Sequence, residues 1–196
     1  MKFNLFFSFS QLLKLLSFNK LASIFLTKSV KKSLTVTISN NLELKNFLLI
    51  LKYHTNFNFQ SLLDISAIDY PFDRTHRFQI YYNLLNINNT GYRLICHTYI
   101  SENNFLDSVA DIYSSANWLE REVYDMFGIF FKNHPDLRRI LTDYGFEGFP
   151  LRKDFPLTGY TELRYDEEQK RILMEPVTIS QIFRNFEFNS PWELNS

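Results

Sequence analysis

The sequence predicts an α+β fold: a small mixed sheet with helices packed on one face, followed by a long extended C-terminal arm. Three observations carry this expectation. An amphipathic helical pattern in the first third is followed by a run of adjacent strand patterns, the order expected when helices cover one side of a sheet. A second, heavily charged helical pattern then leads into a loop dense in Pro, Gly, Arg and Asp, from Trp118 to Gly159. Beyond Ile140 no helical or strand period is evident, and Pro150, Pro156, Pro176 and Pro191 oppose long helices there.

Taken in order, Leu34, Val36 and Ile38 alternate with polar residues and read as a strand. Ser39 or Asn40 is placed to cap a helix over Leu42 to Lys52, where Leu44, Phe47, Leu48 and Leu51 share a face. Leu62 to Ile68 reads as a strand, followed by a turn at Asp69-Tyr70-Pro71. Phe78 to Leu85 is another strand, and Asn88-Asn89-Thr90-Gly91 signals a hairpin to a strand over Tyr92 to Ile100. Asn104 can cap a helix carrying Phe105, Val109 and Ile112. Asn117 with Glu120 resembles a capping box for a helix from Trp118 to Phe127, ended by Gly128 as a left-handed residue. The expected organisation is a basic, apolar extension over residues 1–33, an α+β domain over 34–128, and a loop-rich segment with a partner-binding arm over 129–196.

The arm keeps Ile172, Leu173, Met174, Val177, Ile182, Phe183, Phe186, Phe188 and Trp192. A solvated disordered tail is poorer in such residues, so an arm draped over a partner is expected. The same logic applies to Phe127, Phe130, Phe131, Phe146, Phe149 and Phe155, which a solvated loop would not retain.

Composition narrows the function. At 196 residues the chain suits one domain with extensions. Its 21 basic and 21 acidic residues balance, but residues 1–42 hold six lysines and no acid. The body is therefore mildly acidic, which argues against nucleic-acid binding. The single cysteine, Cys96, excludes an internal disulfide and any cysteine-ligated zinc or iron–sulfur centre built by this chain alone. Residues 3–26 are rich in Leu and Phe but interrupted by lysines, short of the about 20 apolar residues of a membrane span. They suit a targeting segment or a surface-lying helix. The richness in Phe, Asn, Ile, Leu, Lys and Tyr reflects AT-rich codons, as in many organellar genes.

Few residues invite chemistry. Glu122 and Asp125 lie three apart on one helical face, where they could hold a metal or divide acid and base roles. Ion pairing with Arg121, Arg138 or Arg139 is the plainer role, and no Glu-x-x-His repeat supports a di-metal site. His134 stands alone in Asn133-His134-Pro135-Asp136, which suits a turn better than a ligand. Arg138, Arg139, Arg152 and Lys153 form a basic cluster that suits ion pairs better than an anion site. Gly145, Gly148 and Gly159 lack the lysine and hydroxyl of a phosphate loop.

These residues together closely resemble the 30-kDa subunit family of respiratory complex I, the proton-pumping NADH:ubiquinone oxidoreductase. The family signature is carried by Glu120-Arg121-Glu122, Asp125, Met126-Phe127, His134 and Arg138. It continues through Arg139-Ile140-Leu141, Asp143 to Gly148, Pro150-Leu151-Arg152-Lys153-Asp154-Phe155-Pro156-Leu157, Arg164-Tyr165-Asp166, Glu175-Pro176-Val177, Phe183-Arg184 and Ser190-Pro191-Trp192. Asp69-Tyr70-Pro71 and Arg77-Phe78 match upstream, so the resemblance runs from about Leu34 to the C-terminus. One departure is visible: relatives commonly carry His where this chain has Phe149.

The resemblance implies a subunit of the quinone module, in the peripheral arm on the matrix side of the mitochondrial inner membrane. It implies no catalytic, cofactor or metal residue in this chain, since FMN, the iron–sulfur clusters and ubiquinone are held by other subunits. It further implies packing on a 49-kDa-type subunit, membrane association only through the complex, and structural or interface roles for Glu120, Arg121, Glu122, Asp125, His134, Arg138, Arg139, Arg152, Asp154, Glu175 and Trp192. Competing readings are a related plastid or hydrogenase-type subunit, a metal-dependent hydrolase using Glu122, Asp125 and His134, and a sheet stacking single-stranded RNA.

Overall fold

The computed structural model describes residues 24–30, 33–38, 41–55, 57–73, 75–87, 92–188, 190 and 192. The chain divides after Phe155 into two compact units. The first is built on a five-stranded mixed sheet. Its strands are β1 (Ile24–Val30), β2 (Ser33–Ile38), β3 (Ser61–Asp69), β4 (Phe78–Asn86) and β5 (Tyr92–Ile100), in the order β1-β2-β5-β4-β3. Within this sheet only β2 and β5 run parallel; the other three pairings are antiparallel. Helices α1 (Asn41–Tyr53) and α2 (Ala116–Phe127) share one core with the sheet. The architecture is α+β, as the sequence predicts.

Alternation builds that core directly. Val36, Ile38, Phe78, Ile80, Tyr82, Leu84, Leu94 and Cys96 are fully or almost fully buried, and the register aligns Val36, Cys96, Tyr82 and Ile65 in one row across four strands. Every second residue turns inward along a strand, so one register serves all four. From α1 come Leu44, Phe47, Leu48 and Leu51, the stripe legible in the sequence, and from α2 come Ala116, Val123 and Phe127. Cys96 is buried here, and desolvation pushes its thiol well above the usual range, so it packs as a small apolar group.

Several expectations meet a different structure. The proposed helix from Asn104 is instead a short strand, β6 (Phe105–Asp107), followed by turns. It pairs in parallel with β7 (Phe130–Lys132), a strand the sequence reading does not anticipate. The periodicity misleads because Leu106 and Phe131 point inward while Phe105 and Phe130 are exposed. The ladder is extended when Ser108 N–H donates to the Lys132 carbonyl. The capping box also fails. Asn117 lies inside α2; the N-cap is Ser115, whose hydroxyl donates to the Leu62 carbonyl instead of capping, while Glu120 turns inward. Gly128 does close α2 with φ +76°, its N–H donating to the Tyr124 carbonyl.

At the N-terminal side, β1 and the start of β2 fall within the segment expected to be an extension, whereas residues 1–23, with the targeting or surface-helix reading, lie outside the described residues. So do the cap candidates Ser39 and Asn40 and the turn 88–91, although β4 and β5 flanking that turn pair as a hairpin does. Among the described residues no helix is long and apolar enough to cross a membrane.

The second unit contains a hairpin of β8 (Thr161–Asp166) and β9 (Arg171–Pro176), where the sequence reading expects no regular element. Its signal is a plain period of two, Thr-Glu-Leu-Arg-Tyr-Asp facing Arg-Ile-Leu-Met-Glu-Pro, masked by the surrounding prolines. Lys170 takes φ +49° in the connecting turn.

The core makes a simple test. Leu84→Ala, at a fully buried position on β4, should cost about 2–5 kcal/mol. Ile68→Ser, half exposed on the opposite face of β3, should cost well under half as much. Urea midpoints of the two variants measure the difference.

Candidate functional site

Helix α2 presents two buried carboxylates, Glu120 and Asp125, and each is spent inside the chain. Asp125 faces the irregular segment beyond β7. Its Oδ2 accepts the N–H groups of Ile140 (3.1 Å), Leu141 (2.7 Å) and Thr142 (3.0 Å), and its Oδ1 accepts the Thr142 hydroxyl (2.7 Å). Arg139 stands 3.5 Å from Oδ1. Burial alone would raise this carboxyl, but the hydrogen bonds from Thr142, Leu141 and Ile140 hold it below the usual range.

Glu120 is the opposite case. Its Oε2 accepts the Ser108 hydroxyl (2.6 Å) and its Oε1 the Val109 N–H (2.7 Å). Desolvation outweighs these bonds and pushes its carboxyl up to about 7. His134, with a buried side chain, places Nε2 3.8 Å from Oε2.

Arg121 is buried but does not enter the carboxylate network expected of it. Its Nε donates to the Arg138 carbonyl (3.2 Å) and its guanidinium stacks on Trp118 (4.8 Å). Among the described residues it has no ion pair, because Glu120 and Asp125 already point elsewhere and Glu122 faces solvent.

The arginines do not gather into one basic cluster. Arg138 pairs with Asp136 at the surface (2.9 Å). Arg139 donates two hydrogen bonds to the Gly148 carbonyl, both 3.0 Å. Arg152 donates to the Phe127 carbonyl (2.6 Å) and pairs with Glu102 (2.7 Å). A cation there also faces the negative end of α2. Phe149 lies between Arg139 (5.1 Å) and Arg152 (4.4 Å), so at this position an aromatic face does what an imidazole could not do when protonated. The aromatic residues Phe127, Phe131, Phe146, Phe149 and Phe155 are thus buried or half-buried on their own chain; only Phe130 of that set is exposed.

A second node has no local signature in the sequence. Arg77 binds buried Asp69 (3.0 Å), Glu102 (2.8 Å) and Asp154 (2.8 Å), and Asp69 also accepts the Lys153 N–H (2.8 Å). The Arg77 guanidinium holds Asp154 below the usual carboxylate range. Asp69 and Arg77 belong to the upstream resemblance, but nothing in their spacing announces partners 25 and 77 residues away. These contacts hold residues 149–155 in the first unit, so the expected boundary at 128/129 falls inside it.

In the second unit, Glu175 pairs with Arg164 through both carboxylate oxygens (2.8 and 3.0 Å), and Trp192 is exposed. One face of the hairpin carries Glu162, Glu175, Arg164 and Leu173. The other carries Leu163 opposite Met174 and Tyr165 opposite Ile172, all of them exposed.

Residues 36–161 match the family model described as "Respiratory-chain NADH dehydrogenase, 30 Kd subunit". The chain belongs to this family. It is 55% identical over 144 residues to "NADH-ubiquinone oxidoreductase subunit 9" of Reclinomonas americana, covering 74% of this chain and 70% of that one. It is 55% identical over 150 residues to the protein of the same description from Prototheca wickerhamii, covering 76% and 77%. Against "NADH dehydrogenase [ubiquinone] iron-sulfur protein 3, mitochondrial" of Candida albicans it is 51% identical over 164 residues, covering 83% and 58%. Among solved structures, a trypsin-resistant fragment of Nqo5 aligns with TM-score 0.52 at 31% identity, covering 65% of this chain and 99% of the fragment. A chain of an archaeal membrane-bound sulfane sulfur reductase aligns with TM-score 0.63 at 26% identity, covering 76% and 86%. The chain is a structural subunit of the NADH:ubiquinone oxidoreductase quinone module.

The geometry around α2 sets two expected outcomes. The raised Glu120 carboxyl favours folding below its unfolded value near 4.5, and that contribution is lost as pH rises through about 7. Between pH 5 and 8 the protein should therefore lose up to about 3 kcal/mol relative to Glu120→Gln, read from paired urea titrations. Gly128→Ala should cost about 1–3 kcal/mol or more, because a Cβ at φ +76° would meet Phe149 Cζ at 2.6 Å and Arg152 Nη2 at 2.7 Å. A melting temperature unchanged from wild type would contradict this.

Proposed function

We propose that the protein has no active site of its own and supports electron transfer from NADH to ubiquinone by shaping and holding the peripheral arm on the matrix side of the mitochondrial inner membrane. FMN, iron–sulfur clusters and ubiquinone then belong to other subunits, and membrane association comes through the complex. Within it, Glu120, Arg121, Asp125, His134, Arg138, Arg139, Arg152 and Asp154 set the shape of the first unit. Glu122, Glu175 and Trp192 lie on exposed or partly exposed surfaces that meet other quinone-module subunits, the foremost being a 49-kDa-type partner.

One observation carries this reading. The ionised groups of the signature segment are largely committed to intrachain partners, whereas the hairpin leaves a whole apolar face in solvent: Leu163, Tyr165, Ile172 and Met174 are 58–67% exposed. An isolated two-stranded hairpin is marginal in water and gains stability by packing that face. Each large side chain buried contributes ~1.5–3 kcal/mol, against an ordering cost of roughly 2–5 kcal/mol.

The same geometry counts against the hydrolase reading. Glu122 points to solvent, Asp125 is occupied by residues 139–142, and His134 is held by Asn117 and Asp136. Among the described residues no group of three or more His, Cys, Asp or Glu is placed to hold a metal.

Leu163→Asp combined with Met174→Asp should leave the thermal unfolding of the first unit unchanged while reducing incorporation into the complex at least tenfold on native gels. Full incorporation of the double variant would overturn the assignment of this face. Redox turnover by the purified lone protein would overturn the non-catalytic role.

A further inference from the structure

Arg121 is the exception among the buried charged groups of α2, because its guanidinium lies inside the protein without a counter-charge. The residue is only 7% exposed. Its Nε–H donates to the Arg138 carbonyl at 3.2 Å, and its plane lies 4.8 Å from the centre of the Trp118 ring. A guanidinium carries four further N–H donors on Nη1 and Nη2. Among the described residues these donors have no hydrogen-bond or ion-pair partner. The acids close by in sequence are engaged or turned away. Glu120 accepts from Ser108 and Val109, Asp125 accepts from residues 140–142 with Arg139 beside it, and Asp136 pairs with Arg138. Glu122 is exposed and stands about 100° further round the helix. A buried cation left unpaired is costly, and a carboxylate that meets both Nη groups in forked geometry removes that cost.

We propose that Trp118 and Arg121 form a docking point for an acidic segment of a neighbouring subunit, which supplies one Asp or Glu carboxylate to Nη1 and Nη2 and an apolar side chain to the uncovered part of the Trp118 ring. Trp118 lies three residues before Arg121 on the same helical face and is 63% exposed. Leu141, whose N–H is bound by Asp125 one turn further along α2, is 60% exposed. A free inorganic anion would satisfy the guanidinium but leave both apolar groups in water; a protein segment covers all three. Tryptophan and arginine are also the residue types that dominate binding energy at protein interfaces. Here the stack and the Nε hydrogen bond already order the guanidinium, so a partner meets a fork that is set before binding. The inference rests on the reading of this chain as a subunit that docks on others, and the surface is separate from the hairpin face, which belongs to the second unit.

Arg121→Gln in the full chain tests this. The amide keeps a donor for the Arg138 carbonyl and removes the charge. The free variant should remain folded with a urea midpoint close to wild type, since no intrachain ion pair is lost. Its incorporation into the complex on native gels should fall at least about tenfold, the scale of one charge-assisted pair. A free variant that is unfolded or markedly destabilised would make Arg121 a structural residue and overturn the docking point, and so would normal incorporation. Full incorporation of the hairpin double variant beside failure of Arg121→Gln would remove the hairpin assignment and leave this one standing. A second measurement uses Arg121→Lys, which keeps the charge and places an amine at the site. A water-soluble carbodiimide applied to the assembled complex should couple that amine to an Asp or Glu of another subunit, read by mass spectrometry. Coupling confined to Glu120, Glu122 or Asp125 of the same chain would overturn the proposal. Inorganic phosphate that raises the melting temperature of the wild type but not of Arg121→Gln would assign the donors to a small anion and overturn it as well.

Discussion

The carboxylate of Asp125 is the constraint on which the first unit's irregular half depends. Three consecutive backbone N–H groups and one hydroxyl converge on it. A segment with no ladder of its own must still satisfy its backbone donors. Here one side chain does so, and in doing so it fixes where residues 140–142 lie against α2. Arg139 is thereby aimed at Gly148, Phe149 is set between two guanidinium groups, and Arg152 reaches the C-terminal carbonyl of α2. Removing the carboxylate would leave buried donors unpaired, which costs more than the net worth of the bonds themselves.

Glu120 shows how little sequence position says about charge. It sits five residues before Asp125 on the same helix and is likewise closed to solvent, yet its carboxyl is driven up while Asp125 is held down. Two things separate them: desolvation is heavier at the deeper Glu120, which has two donors, and lighter at Asp125, where four donors outweigh it. One helix therefore carries a carboxylate that is stable as an anion and another balanced near neutrality.

Alternation and helical spacing made four of the five strands of the main sheet and both helices legible, because these elements bury one face and their periods record it; β1 lay in the stretch expected to be an extension. The motif from Glu120 to Leu157 made the family legible. What escaped the reading was set by tertiary contacts. Phe105, Val109 and Ile112 have helical spacing, but Glu120 and Lys132 take the backbone groups that a helix would use. Arg121 stands among acids in sequence and stacks on Trp118 in space. The Arg77 node joins residues that are distant along the chain, and no local pattern encodes it.

The parallel pairing of β2 with β5 bears on how the chain is made. Strands β3, β4 and β5 form a meander that can close as each is synthesised, but β2 has its parallel neighbour in the last of them, with Thr37 bound to His97 across 60 residues. The β1–β2 ribbon must therefore wait, with one edge unsatisfied, until Ile100 has left the ribosome. At roughly 5–20 residues per second that interval lasts several seconds. During it the inward side chains of β2, Val36 and Ile38, lack their eventual cover. The vulnerable period in the life of this protein thus falls early in translation, before any encounter with the rest of its complex.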